Sequence, residues 1–280
     1  MKTRDELAAE QAAFWNGPGG QTWLASYERI QRSIAGFSAD VLAAAAARPG
    51  EQVLDVGCGT GETTAELAHA VGAAGRVLGV DISEVLVSAA RAQDLPNAVF
   101  EVGDAAAFSF ESSALDLVFS RFGVMFFAAP VPAFRNLRRA LKPSGRLVFL
   151  CWRRPQENPW ALVPMRAAAP FLPPMERPGP EDPGQYSFGD KARVERILRE
   201  AGFADLVIRP LDRPVLLGPD VPAVVDNLGK FGPLSRQFGE AEPAQVDKAK
   251  QAIAEALRPY ATADGVRLAG ACWLVSAQPG

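Results

Sequence analysis

Histidine is nearly missing from this chain: only His69 is present. A histidine-based metal site therefore has no second imidazole, and neither a Ser–His nor a Cys–His pair is suggested by spacing. The three cysteines, Cys58, Cys151 and Cys272, stand far apart. That excludes metal-ligand or redox spacing and predicts the reduced thiols of a cytoplasmic protein. Long apolar runs are absent too. The longest, residues 41–47, is far too short to span a bilayer. No secretory signal is expected, because Lys2, Arg4, Asp5 and Glu6 interrupt the start. Neither sign of charge dominates: the net charge of −3 and pI near 5.4 give no reason to expect a nucleic-acid partner. What remains is an ordinary globular balance, 48% hydrophobic and 22% charged over 280 residues, enough for a full core.

The chain is organised around Val53-Leu54-Asp55-Val56-Gly57-Cys58-Gly59-Thr60-Gly61. Residues 53–56 read as a buried strand, three alternate glycines as a turn that brings backbone close to a ligand, and residues 62–68 as a helix. Strand, glycine turn and helix open a nucleotide-binding α/β unit. The dinucleotide fingerprint G-x-G-x-x-G would need its third glycine at position 62, where Glu62 stands; an acid there would oppose a pyrophosphate. The phosphate-loop pattern is absent as well. A ligand-free tight turn is the plain alternative.

Four further strands follow in βα rhythm, at about 77–81, 98–102, 115–120 and 146–151. Asp81 ends the second, about 20 residues beyond the glycine turn, at the interval of a ribose-binding acid, or else serves the strand end structurally. Ile82 follows, and Ser83 reads as the N-cap of a helix through Ala90. Asp104-Ala105 follows the third strand and Ser120 ends the fourth; Asp104 alone would also suit a turn. Gly57, Asp81, Asp104 and Ser120 thus share the carboxyl ends of the strands, where ligands bind in open α/β sheets. The loop Arg121-Phe122-Gly123-Val124-Met125-Phe126-Phe127 is unusually apolar, and a helix is expected over 131–141.

On the N-terminal side, helices are expected at 4–15, 22–34 and 39–47, with a loop at 16–20. Trp15, Trp23 and Tyr27 flank that loop, either as core packing or as a lid whose aromatic faces attract a cation. On the C-terminal side, residues 152–190 are proline-rich, with one short helix at 160–168. A helix at 191–201, a strand at 204–211, an excursion at 213–264 with helices near 221–228 and 243–257, and a strand at 266–277 complete the chain. The expectation is one domain over 1–280: helical lid (1–48), cofactor core (50–151) and two substrate-cap insertions (152–190 and 213–264). His69 falls late in the helix after the turn, pointing away from the strand ends, where it favours the helix dipole rather than catalysis.

The run D-V-G-C-G-T-G resembles the first motif of class I S-adenosylmethionine (SAM)-dependent methyltransferases. Within them the chain looks most like the bacterial branch related to the ubiquinone/menaquinone-biosynthesis methyltransferases. The resemblance covers residues 50–151 well and 190–277 more loosely. It implies a Rossmann-like, doubly wound, mostly parallel seven-stranded sheet of order 3-2-1-4-5-7-6, its last strand antiparallel. It implies SAM as cofactor and S-adenosylhomocysteine as product, with no metal. SAM is cationic and carries no phosphate, so Asp55 beside the turn suits it. The cofactor set is Asp55, Gly57, Cys58, Gly59, Thr60, Gly61, Asp81 on the ribose, Ile82, Asp104 and Ala105 at the adenine, and Ser120, with Trp15 and Trp23 from the lid. The apolar residues Phe122, Met125, Phe126, Trp152 and Trp160 form the candidate wall for a small hydrophobic acceptor. No dedicated side-chain base is expected. Tyr27 and Arg121 are the polar candidates nearest the reacting end, Arg121 to orient an acidic acceptor. A non-catalytic SAM-binding module and a nicotinamide oxidoreductase are the alternatives. The acceptor, the atom methylated and the oligomeric state stay open.

Overall fold

Residues 2–174, 179, 181–230 and 232–280 are described by a computed structural model. Pro178 and Pro180 of the proline-rich stretch lie outside them. Helix α1 (Arg4–Asn16) starts in a capping box: the Thr3 hydroxyl accepts from the Glu6 N–H at 3.2 Å, and Glu6 accepts from the Thr3 N–H at 2.7 Å. The expected loop at 16–20 shrinks to Gly17. Pro18, at a first-turn position that needs no N–H, opens α2 (Pro18–Ala25). Gly19 and Gly20 are buried helical residues, since a Cβ on Gly20 would meet the Trp15 carbonyl oxygen at 2.0 Å. Ser26 breaks the chain once. The two helices expected next are a single α3 (Tyr27–Ala45), with Ile30, Ile34, Phe37, Val41 and Ala45 forming its buried stripe.

The βα rhythm runs as expected: β1 (Gln52–Val56), α4 (Glu62–Val71), β2 (Arg76–Asp81), α5 (Glu84–Arg91), β3 (Ala98–Val102), β4 (Leu115–Arg121), α6 (Pro130–Ala140) and β5 (Leu141–Trp152). Ser83 caps α5, accepting from the Leu86 N–H at 3.4 Å. Then come α7 (Pro159–Ala168), α8 (Lys191–Glu200), β6 (Phe203–Gly218), α9 (Val221–Leu228), α10 (Pro233–Glu240), α11 (Pro243–Leu257), β7 (Ala261–Thr262) and β8 (Gly265–Pro279). Helix α10 and strand β7 were not expected from the sequence.

The sheet order is β3-β2-β1-β4-β5-β8-β6, with β7 paired to β8. The first five strands are parallel, and β8 is antiparallel to both its neighbours. Apart from the two-residue β7, this is the expected 3-2-1-4-5-7-6 arrangement. The strand order reverses between β1 and β4, which opens a crevice at their carboxyl ends.

Strands β6 and β8 are longer than expected. They pair from Phe203↔Pro279 to Gly218↔Val266, whereas β5 covers β8 only between Leu147↔Ala277 and Trp152↔Cys272. The ribbon therefore extends past the carboxyl end of β5. Both insertions leave from this side, one after Trp152 and the other after Gly218. Their helices join: α11 packs on α7 and α9, and Gln237 donates to the Pro173 carbonyl at 2.6 Å. Ala168, Leu172, Val224, Leu234, Ala249, Ile253 and Leu257 are buried in the same core cluster as the sheet.

Candidate active site

The glycine turn holds its shape for distinct reasons at each position. Gly57, at φ +70°, has no room for a side chain: a Cβ would lie 2.8 Å from the Gly123 Cα. Gly59, at φ +56°, is the opposite case, since no atom lies within 4 Å of where its Cβ would be. Space faces the backbone only there, which suits close approach of a ligand. Gly61, at φ +90°, turns the chain into α4. The Cys58 side chain is buried with Val87, Ala90 and Phe100, so only its backbone belongs to the turn, and burial raises its thiol pKa. Thr60 is buried and donates to Glu62 at 2.9 Å.

Asp55 is fully buried. Its Oδ2 accepts from the Thr63 and Thr64 hydroxyls, each at 2.7 Å, while Oδ1 has no hydrogen-bond partner. Burial pushes this carboxyl up to about 6 against the pull of the two threonines. A buried acceptor left unpaired beside an open glycine fits a ligand that carries a cation.

Asp81 organises the turn from the neighbouring strand: Oδ2 accepts from the Gly59 N–H and Oδ1 from the Ser83 N–H, both at 2.9 Å. Burial raises its pKa. Asp104 is exposed. Its Oδ1 accepts from the Ala106 N–H at 2.9 Å, the turn role the sequence also allowed, beside buried Ala105. Ser120 has its hydroxyl taken up by backbone groups. It is fully buried, with its hydroxyl donating to the Val56 carbonyl at 2.8 Å and accepting from the Gly123 and Val124 N–H groups at 3.1 and 3.3 Å. It clamps the end of β4 to the end of β1.

The N-terminal segment lies over this side of the sheet. Asn16 donates to the Ile82 carbonyl and accepts from the Glu84 N–H, both at 2.9 Å, and Ser83 donates to the Trp15 carbonyl at 2.7 Å. At the other end of α1, Arg4 donates to the Ala128 carbonyl at 2.5 Å. Trp15 meets Trp23 and Phe126 edge-on, with ring centroids 5.9 and 5.3 Å apart.

Two candidates for the reacting end prove to be committed elsewhere. Arg121 donates to Gln31 Oε1 at 2.8 Å and Ser38 Oγ at 2.6 Å, faces Glu62 at 3.9 Å, and its side chain is 9% exposed. Its guanidinium is therefore not free to orient an acidic acceptor. The Tyr27 hydroxyl is hydrogen-bonded to Glu62, which, with burial, pushes it up to about 12 and makes it a poor base. Glu62 is the residue whose role the sequence missed. Its acid repels a pyrophosphate, but here it accepts from Gln31 at 3.0 Å and from Thr60 at the head of α4.

Of the five wall candidates, Phe122, Phe126 and Trp160 are half-buried, whereas Met125 and Trp152 are core, 1% and 5% exposed. Met125 points inward, its sulfur accepting from the Trp152 N–H at 3.4 Å. Phe122 stacks on Trp152 with centroids 4.6 Å apart and planes 7° apart, and Trp160 leans on Trp152 at 5.0 Å. Phe122 holds φ at +66°, a strained backbone for a bulky residue. Asn158, not singled out from the sequence, is fully buried, donates to the Ala271 carbonyl at 3.2 Å and accepts from the Ala271 N–H at 2.8 Å and from the Trp160 indole at 3.1 Å. His69 is exposed in the last turn of α4, away from these groups.

A doubly wound sheet with an acid-flanked glycine turn is the arrangement expected of the class I SAM-dependent methyltransferases. A methyltransferase-domain family matches residues 53–145. A demethylmenaquinone methyltransferase of Staphylococcus aureus is 30% identical over 173 residues, 58% of this chain and 71% of that protein. An uncharacterised 37.1 kDa protein of transposon Tn4556 from Streptomyces fradiae is 39% identical over 115 residues, 40% of this chain but only 33% of that protein. Among solved structures, a phosphoethanolamine N-methyltransferase of Haemonchus contortus superposes with a TM-score of 0.59 at 17% identity, covering 96% of this chain and 59% of that one. The YcgJ protein of Bacillus subtilis gives 0.55 at 17%, covering 88% and 98%. At such identities these two likenesses concern the fold alone. The chain belongs to the class I SAM-dependent methyltransferases and resembles the quinone-biosynthesis members; its cofactor is SAM.

Proposed function

We propose that the protein transfers the SAM methyl group to a small or mid-sized, hydrophobic, uncharged acceptor held between the glycine turn and the helical cap. The observation that carries this reading is the pair of half-buried aromatics Phe122 and Trp160, both packed on Trp152, together with an Arg121 guanidinium already engaged by Gln31 and Ser38. SAM supplies a methyl group already activated by its sulfonium. The protein's task is to hold, orient and keep dry. The Gly57–Gly61 backbone takes the ligand closely at Gly59, and the unpaired Asp55 Oδ1 offers its charge to the cation. Asp81 retains acceptor capacity for ribose hydroxyls, and the second oxygen of Asp104 accepts from the adenine amino group, with Ile82 and Ala105 against the ring. Trp15 and Trp23 cover the cofactor from α1 and α2.

Proximity and orientation then carry the rate, an effect of up to roughly 7–11 kcal/mol in favourable cases. No dedicated side-chain base is used: Arg121 stays protonated, Tyr27 titrates too high, and His69 is remote. The net charge of −3 argues for a small molecule rather than a nucleic acid. Demethylmenaquinone, which gives the staphylococcal relatives their name, is the first acceptor to assay. Transfer of labelled methyl from SAM to apolar acceptors, and not to carboxylic acids of similar size, is the expected result. Efficient methylation of a polyanionic acceptor would overturn it. Tight SAM binding with no transfer to any acceptor or cell extract would favour a non-catalytic SAM-binding module.

A further inference from the structure

We propose that Gln31 is a positioning residue for the cofactor: its amide ties the glycine turn to the N-terminal segment, so that ligand binding and docking of that segment occur together. This rests on the cofactor site described above. The Gln31 side chain donates from Nε2 to Glu62 Oε2 at 3.0 Å and accepts at Oε1 from Arg121 Nη1 at 2.8 Å. Only one orientation of the amide serves both neighbours, because a flipped amide would set its oxygen against the carboxylate and its N–H groups against the guanidinium. Arg121 faces Glu62 directly at 3.9 Å and so closes a ring of three side chains from α3, α4 and the end of β4. Glu62 carries the ring into the turn, since Thr60 donates to it at 2.9 Å.

The same ring fixes the start of α3. Tyr27, the first residue of that helix, is hydrogen-bonded to Glu62, and Ser26 alone separates it from α2. The far end of the segment is held on the β2–α5 loop by Asn16 and by Ser83, which donates to Trp15. Between these anchors α2 packs on α5. The segment of residues 18–25 therefore bridges from the β2–α5 loop to the head of α4, and the Gly57–Gly61 turn leads directly into that head. A ligand that orders the turn orders Thr60 and Glu62, and through Gln31 and Tyr27 the joint at Ser26. Ligand and closed segment stabilise each other reciprocally.

Gln31→Leu removes both hydrogen bonds at nearly constant volume. Its expected effect on the whole chain is about a tenfold rise in the Kd of both SAM and S-adenosylhomocysteine, the scale of one charge-assisted hydrogen bond. Turnover at saturating SAM stays within about threefold, because no reacting atom is touched. Hydrogen exchange in residues 18–25, slowed by S-adenosylhomocysteine in the wild type, loses that response. Ser38→Ala is the comparison: Ser38 shares Arg121 but not Glu62, so affinity and ligand-dependent protection persist. Wild-type affinity and protection in Gln31→Leu would overturn the proposal, as would equal loss in Ser38→Ala. If Gln31→Leu does not fold, Tyr27→Phe takes its place, with reduced protection expected and unchanged protection refuting. A wild-type chain that fails to bind SAM at all would instead refute the site reading on which this rests.

Discussion

Replacing Asp55 by asparagine should make the protein more stable and a worse SAM binder at once. The carboxyl is fully buried, and burial lifts it to about 6 from the usual 3.8. For an acid whose folded pKa is raised, the folded state holds the proton more tightly than the unfolded one. Stability then falls as pH rises between the two values and stays low above the folded pKa. A shift of about two units corresponds to about 3 kcal/mol at most at pH 8. Asparagine mimics the protonated form: its oxygen still accepts from Thr63 and Thr64, while its N–H₂ occupies the position of the unpaired oxygen. A gain of about 1–3 kcal/mol is expected at pH 8, or roughly 2–10 °C in Tm for a chain of this size. The gain should shrink through pH 6 and vanish near pH 4, where both forms are neutral. SAM affinity should move the other way and fall at least about tenfold at pH 8, because the cation loses its counter-charge. Differential scanning calorimetry of both proteins from pH 4 to 8, with isothermal titration of SAM, measures both effects. A variant less stable than wild type at pH 8, or one that binds SAM with unchanged affinity, would refute the reasoning.

The other expectations concern single side chains. Gly59→Val should abolish SAM binding and also lower Tm, because a β-branched residue is strained at φ +56° although its Cβ meets no atom, whereas Gly57→Ala should lower Tm through both its φ of +70° and a Cβ 2.8 Å from backbone; unchanged SAM affinity in a folded Gly59→Val variant, read by calorimetry, would refute the turn assignment. Arg121→Ala leaves Glu62 and Gln31 without their cation, so stability should fall by about 3–5 kcal/mol, as for a broken buried pair, along with SAM affinity; a loss confined to acidic acceptors would mean that the guanidinium meets substrate. Phe122→Ala should raise the acceptor KM with SAM affinity kept, since the ring that stacks on Trp152 is lost; unchanged acceptor kinetics would make Phe122 a packing residue. His69→Ala should leave turnover within about threefold, under about 0.7 kcal/mol in barrier, and a hundredfold loss with normal SAM binding would restore a catalytic histidine.

The sequence by itself determined the sheet and the turn. Strand boundaries from β1 to β4, the carboxyl-end location of Asp81 and Asp104, and the cap role of Ser83 follow from local periodicity and turn chemistry, which act within a few residues, whereas β5 begins at Leu141, five residues before the expected start. Three glycines in alternate positions fix a backbone that few other residues adopt, so the motif is readable wherever it lies. The partners of a polar side chain across the fold were decided only by tertiary structure. Arg121 and Gln31 are 90 residues apart, and nothing local says that one consumes the other. The same holds for Ser120, which reads as a ligand-facing strand end but is taken up by the Val56 backbone, and for Met125, whose loop context reads as a wall but whose sulfur accepts from the Trp152 N–H. The break between α2 and α3 rests on a single serine, and the buried Gly20 on a carbonyl supplied by Trp15. Local propensity specifies elements because its energies are short-ranged. Which face an element turns toward a ligand depends on which distant groups satisfy its hydrogen bonds first.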